Sequence, residues 1–246
     1  MKFTMQRFLP KIFLIRHGET EWSVSGQHTG RADVSLTANG ELEARRLGEQ
    51  LRGVSFQHVL VSPLQRAIQT CQSAGLATHA VNEPDLIEWD NGEYEGRTRK
   101  EIAKERPGWS VFRDGCPNGE SPQQISDRAD RLIVKLRELD GNVALFSHGH
   151  FGRVLGVRWI GLPIELAERL FLDTASLSIL SYQHQDVAQP AILLWNSLLR
   201  GPAISPGNSG SNDGNSTNET SKRRALEGWE NEGGELVTRA SDISGI

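Results

Sequence analysis

The stretch Phe13-Leu14-Ile15-Arg16-His17-Gly18-Glu19-Thr20 runs apolar for three residues and then breaks into a cation, an imidazole and a glycine. An apolar run with nothing polar inside it suits a strand buried on both faces of a parallel sheet. Arg16, His17 and Gly18 then fall at the carboxyl end of that strand, and in open α/β sheets ligands bind along that edge. An arginine beside a histidine points to an anion next to a nucleophile or base. Phosphate is the anion that best matches a guanidinium fork. A surface turn after a strand reads the same way, so the decision rests on what the rest of the chain brings to this edge.

Five further strands are predicted around Ile12–Arg16: His58–Ser62, Ala77–Val81, Val143–Ser147, Ser176–Tyr182 and Ala191–Trp195. Thr37–Leu51 reads as a helix capped by Thr37, with Leu42, Leu47 and Leu51 on its inner face. Ser62-Pro63 reads as a cap followed by proline at the first helical position, opening a helix to about Ala74. Ser121–Leu139 carries Ile125, Ala129, Leu132, Ile133 and Leu136 at helical spacing, and Gly141-Asn142 ends it. Helical stretches at Phe151–Ile160 and Ile164–Arg169 flank Gly161-Leu162-Pro163. Strands alternating with helices predict a three-layer α/β/α fold on a mostly parallel central sheet.

Composition divides the 246 residues in two. Up to about Arg200 the chain is rich in aliphatics; from Gly201 to Ser221 it is almost wholly Gly, Ser, Asn, Thr and Pro. Such a segment cannot bury enough apolar surface to offset its ordering entropy. The expectation is a catalytic domain over residues 1–200 and a disordered tail over 201–246 that takes no part in catalysis. A short helix around Leu226 and Trp229 is allowed but not demanded. Asn215-Ser216-Thr217 and Asn218-Glu219-Thr220 match glycosylation acceptors, as chance alone provides in this composition. The net charge of −4, with acids and bases interspersed, gives no basic face for nucleic acid. Cys71 and Cys116 form no framework of pairs, which suits a reducing compartment. No apolar run reaches membrane-spanning length, so a cytoplasmic protein without a membrane partner is expected.

Four segments share the geometry of the opening stretch. His17 follows the first predicted strand, Arg66 begins the helix after the second, Glu88 lies just past the third and His148 follows the fourth. Parallel strands point one way, so these residues converge on one rim. Free amides at the helix starts near Pro63 and His150 are expected to add anion affinity. A neutral imidazole attacks phosphorus without needing a metal. Arg16, Arg66 and His148 would neutralise the phosphoryl oxygens in the transition state. Glu88 would protonate the leaving alkoxide and later deprotonate the hydrolytic water, with a rate optimum on the acid side of neutral when substrate is bound. His148 and His150 have a spacing that two metal ligands can share, but no third ligand set accompanies them, and no metal or other cofactor is expected. Cys116 lacks the Cys-x5-Arg loop of a cysteine phosphatase, and no Gly-x4-Gly-Lys-[Ser/Thr] run is present.

Arg16-His17-Gly18-Glu19-Thr20, Ser62-Pro63-Leu64-Gln65-Arg66-Ala67, Glu88 followed by Gly92-Glu93-Tyr94-Glu95-Gly96, and Ser147-His148-Gly149 resemble the histidine phosphatase superfamily, the phosphoglycerate mutase-like group. The resemblance covers roughly residues 12–196. It implies a phosphate pocket of Arg16, His17, Arg66 and His148, with His17 becoming phosphorylated and Glu88 donating the proton. The segments Glu21–Gly30, Trp89–Gly96, Phe112–Glu120 and His148-Gly149-His150 look like a phosphatase branch that includes sedoheptulose-1,7-bisphosphatases and actinobacterial acid phosphatases. Mutases of the group usually have Trp-Asn where this chain has Trp22-Ser23, and a longer insert before the second histidine.

The same resemblance sets the Gln27-His28-Thr29-Gly30 loop near the phosphate and Gly149-His150 close to the pocket, although His28 and His150 also suit plain loop or helix hydrogen bonding. Arg153, one turn beyond His150, either reaches a distal phosphate or carboxylate or stands as a solvent-exposed helix cation, and Arg113 poses a similar choice. Trp22, Trp89 and Tyr94 either line the substrate mouth or pack. The reading is a metal-independent phosphomonoesterase acting on a small-molecule phosphate ester, a sugar phosphate or sugar-acid phosphate. A cofactor-dependent phosphoglycerate mutase and a non-catalytic phospho-ligand binder are its alternatives. A homodimer or higher homo-oligomer is left open.

Overall fold

The structure, a computed structural model, describes residues 9–198. The expected tail, its short helix and the glycosylation-like triplets lie outside the described residues. Strands β1 (Lys11–Arg16), β2 (His58–Val61), β3 (Ala80–Asn82), β4 (Asn142–Ser147), β5 (Leu177–Tyr182) and β6 (Pro190–Ser197) form one sheet. Its spatial order is β3-β2-β4-β1-β5-β6. β3, β2, β4 and β1 run parallel, and β5 runs antiparallel to both β1 and β6. Around the sheet lie α1 (Glu21–Ser25), α2 (Ala38–Gln50), α3 (Gln65–Ser73), α4 (Arg99–Glu105), α5 (Val111–Asp114), α6 (Pro122–Glu138) and α7 (Gly149–Trp159).

The period-2 alternation of β1 assigns its residues to two cores. Ile12 and Leu14 pack with Val143, Leu145 and residues of α6 and α7. Phe13 and Ile15 pack with Ala144, Phe146 and residues of α2 and α3. The sheet is therefore covered on both faces, and the three-layer expectation holds.

Several local expectations are corrected. The segment 77–79 forms a 3-10 turn, and the strand keeps only Ala80–Asn82. β3 is an edge strand paired solely with four-residue β2, so three residues find partners. On α2 the buried face is Gly40, Ala44 and Leu47, while Leu42 lies exposed on another side. Helix α3 starts at Gln65, two residues after Pro63. The Ser62 hydroxyl is taken by His148, and the first amide of α3 is capped instead by Asp33 Oδ1 at 2.7 Å. Helix α7 starts at Gly149, two residues earlier than expected, with His148 at its N-cap position.

β1 and β4 pair with Arg16 opposite Ser147. The chain crosses from β1 over β4 to β2, then returns to fill the gap, so the carboxyl ends of β1 and β4 mark a topological switch point. The residues that follow, His17 and His148, stand side by side there.

Candidate active site

His17 is pinned by its backbone: its N–H donates to the Ser147 carbonyl at 3.0 Å, and its carbonyl accepts from Ala175 N–H at 3.0 Å. Its Nδ1 lies 2.7 Å from the Gly18 carbonyl. A carbonyl only accepts, so Nδ1 carries the hydrogen and Nε2 keeps the lone pair. Burial, then the charges of Arg66 and Arg16, hold the His17 pKa well below its ordinary 6.5. Neutral and with a defined tautomer, His17 has the electronic form of a nucleophile. Gly18 is needed for a different reason: a Cβ there would stand 2.5 Å from the Gly40 carbonyl, where the start of α2 packs on the end of β1.

The His148 ring lies 5.3 Å from that of His17, centroid to centroid. Arg66 Nε donates to His148 Nδ1 at 3.1 Å, which leaves the hydrogen on Nε2 to donate to Ser62 Oγ at 2.6 Å. Burial and the Arg66 charge hold His148 neutral as well. Burial also lowers His28, to about 3, with neighbouring His150 adding to the effect.

These three histidines predict a pH-dependent stability. In the unfolded chain they take up protons as the pH falls past about 6.5; in the folded protein they stay neutral well below that. The unfolded state therefore binds more protons, and stability falls as the pH drops below 6.5. Each group contributes roughly 1.4 kcal/mol per pH unit, about 4 kcal/mol for the three together. Denaturant melts at pH 7.5 and 5.5 check this, and an unchanged midpoint would contradict it.

Arg66, fully buried, uses its guanidinium to hold the loop over the site. Besides His148 it donates to the carbonyls of Ala32 at 2.8 Å, Thr29 at 3.3 Å and Gly30 at 2.9 Å. Burial lowers its pKa to about 10, so it remains a cation at neutral pH. Glu95 ties the same loop through the amides of Gly30, Arg31 and Ala32. Gly30 allows the approach, since a Cβ there would lie 2.4 Å from the Trp89 carbonyl. Arg66 and His148 are thus beside His17 but bonded to protein acceptors, and a phosphate would displace some of these bonds. Arg16 donates to the Leu172 carbonyl and lies against Gly149.

Glu88 is buried, and its carboxylate accepts from the amides of Trp89 at 2.8 Å, His150 at 3.0 Å and Phe151 at 2.8 Å. Three of the helix-start amides expected to be free for phosphate are therefore occupied: those of His150 and Phe151 on α7 by Glu88 and that of Gln65 on α3 by Asp33. The physical reason is that a carboxylate at a helix N-terminus satisfies orphan donors and the helix dipole together.

Arg16, His17, Trp22, Ser23, Gln27, His28, Thr29, Glu88, Gly149 and His150 line one cleft. His28 and His150 stack at 5.5 Å with an interplanar angle of 20°. Three outer expectations are corrected. Arg153 is fully buried, with Nε on the Ala167 carbonyl and Nη2 on the Glu168 carbonyl, and it lies over the Phe112 ring. It does not line the cleft and is not a solvent cation. Trp89 is fully buried with its Nε1 on the Glu120 carbonyl, and Tyr94 packs edge-on against Trp109. Both are core residues, whereas Trp22 does line the cleft. Arg113 pairs with Asp114 at the surface.

Burial pushes both thiols, Cys71 and Cys116, up to about 12, so neither is a ready nucleophile. Among the described residues no group of three or more His, Cys, Asp or Glu side chains is placed to hold a metal ion, and no helix is long and apolar enough to cross a membrane. Ser62, Asp33 and Glu95 are parts of the site that the sequence reading did not single out. Glu95 stood inside a quoted motif without a role, and Asp33 had no local signal at all.

The family model for the Histidine phosphatase superfamily (branch 1) matches residues 12–197. The chain belongs to this superfamily. It is 40% identical over 187 residues to an acid phosphatase of Mycobacterium tuberculosis, covering 74% of this chain and 91% of that one. It is 31% identical over 267 residues to the sedoheptulose 1,7-bisphosphatase of Saccharomyces cerevisiae, covering 82% and 96% respectively. Among solved structures, the product of a Mycobacterium tuberculosis open reading frame superposes with a TM-score of 0.70 at 36% identity, covering 76% of this chain and 96% of that one. This histidine phosphatase thus has the expected mixed, mostly parallel sheet flanked by helices. The two relatives above carry phosphatase names, and the chain is also 33% identical over 183 residues to a probable phosphoglycerate mutase of Salmonella choleraesuis, covering 70% of this chain and 85% of that one.

Proposed function

We propose that this enzyme is a metal-independent phosphomonoesterase that works through a phosphohistidine at His17 Nε2. The observation that carries the reading is the His17 tautomer: Nδ1–H on the Gly18 carbonyl, and a neutral ring whose remaining nitrogen holds a lone pair at the cleft. In the first step Nε2 bonds to phosphorus as the ester P–O bond breaks, and the leaving oxygen takes a proton from Glu88. In the second a water oxygen attacks phosphorus, Glu88 takes the water's proton, and the N–P bond breaks with its electron pair returning to Nε2. The sum is ester plus water giving alcohol plus inorganic phosphate. Arg16 and Arg66 supply the positive charge that spreads over the phosphoryl oxygens. His148, neutral between Arg66 and Ser62, contributes a hydrogen-bond donor once it exchanges the Ser62 bond for a phosphate oxygen.

The substrate class supported best is a small phosphorylated sugar or sugar acid. The cleft wall carries the polar side chains of Gln27, His28, Thr29 and His150, and one of the relatives above is named for a sugar bisphosphate. A panel of sugar phosphates and phosphoglycerates, assayed for released phosphate in the presence of a chelator, tests this. The expected result is phosphate release from one or more sugar phosphates, undiminished by chelation. Conversion of 3-phosphoglycerate to 2-phosphoglycerate without phosphate release would overturn it in favour of a mutase.

A further inference from the structure

The Glu88 carboxylate is held by amides from two segments, its own neighbour Trp89 and the start of α7, so its position depends on how these segments sit relative to each other. One side chain from a third element touches both. Arg128 on α6 is almost fully buried. Its Nη1 donates to the carbonyls of Asp85 at 2.9 Å and Ile87 at 2.6 Å, and its Nη2 reaches the Glu88 carbonyl at 3.4 Å. Its guanidinium also covers the ring of Phe151, 4.4 Å from the centroid, and Phe151 is the residue whose amide binds Glu88 Oε1.

Glu120 aims this guanidinium with a two-pronged pair, Nε to Oε1 at 2.9 Å and Nη2 to Oε2 at 2.6 Å. Glu120 is itself bound to the segment it serves: its amide donates to the Asp90 carbonyl, and its carbonyl accepts from Trp89 Nε1. A buried ion pair contributes little net stability over a well-packed apolar pair. Geometry is what this one supplies: a planar fork presents donors in fixed directions, which neither an apolar side chain nor lysine reproduces.

We infer that Arg128, aimed by Glu120, is a positioning residue that sets the Glu88 carboxyl group for proton transfer, an inference that rests on the role proposed for Glu88 above. An error of about 1 Å at a reacting group lowers the rate on the order of 10²-fold. The loss falls where a proton must be given to a poor leaving group, and it spares an ester such as p-nitrophenyl phosphate, whose phenolate departs unaided.

The test compares Arg128→Met, Glu120→Gln and Glu88→Gln with the parent enzyme, using single-turnover cleavage of an alkyl phosphate and the pre-steady-state burst with p-nitrophenyl phosphate. For Arg128→Met the expected result is a fall of about 10- to 100-fold in the alkyl rate. KM should stay within about 3-fold and the burst rate near parent. Glu120→Gln should change the same ratio in the same direction, and it decides the matter if Arg128→Met does not fold. Equal losses on both esters, or no loss on either, would overturn the inference. If Glu88→Gln itself lowers both esters equally, the proton-donor reading fails first, and the two failures are told apart.

Discussion

His17→Ala abolishes turnover: kcat for any phosphate ester should fall by about 10⁴-fold or more, with no compensating change in KM. The expectation follows from the form of the groups nearest His17. His148 is also neutral, but its Nδ1 accepts from Arg66 and its Nε2 hydrogen is directed at Ser62, so neither nitrogen offers a lone pair at the cleft. The two thiols are pushed up to about 12 by burial. Folding should survive, since the His17 side chain bonds only to the adjacent Gly18 carbonyl while its backbone carries the links to Ser147 and Ala175. The variant should also lose about one third of the acid-side decline in stability, because one of the three neutral buried histidines is gone. Steady-state kinetics with a thermal melt at two pH values checks both. Parent-like turnover in the variant would remove His17 from the mechanism.

Glu88→Gln should separate two kinds of ester. With an alkyl phosphate the loss is about 10²- to 10⁴-fold, the usual range for a missing general acid. With p-nitrophenyl phosphate the first phenolate should appear in a burst of one equivalent per site, followed by slow turnover, because dephosphorylation still needs a base for the attacking water. Glutamine keeps one oxygen for the amides of Trp89, His150 and Phe151 but sets an NH2 group where the second acceptor stood. That mismatch at the start of α7 costs about 1–2 kcal/mol, visible as a lower melting midpoint. Comparable losses on both esters, without a burst, would place Glu88 in a structural role.

The convergence of Arg16, His17, Arg66, Glu88 and His148 was legible because it needs only strand direction and the rule that ligands gather at carboxyl ends. The pairing of Arg16 with Ser147 makes neighbours of two histidines separated by more than half of the folded domain. What the sequence concealed were carboxylates that arrive from far away. Asp33 caps α3, Glu88 caps α7 and Glu95 gathers residues 30–32, each across an interval with no local pattern to announce it. The amides of Gln65, His150 and Phe151, read as part of a phosphate cradle, therefore bind the protein's own acids. Arg153 had a readable signal that points the other way: α7 is apolar on nearly every side, and such a helix lies inside the protein. Trp89 and Tyr94 went to the core because the turns around them pack against Glu120 and Trp109.

The central claim is a covalent bond between phosphorus and His17 Nε2, and trapping it is the most direct measurement. The enzyme is mixed with a substrate carrying radiolabelled phosphate, quenched within the turnover time in alkaline denaturant, and digested. The predicted result is one label per active site, stable in alkali and lost in acid, on the peptide that contains His17, and no label in His17→Ala. An acid-stable label, or label on any other residue, would contradict the account.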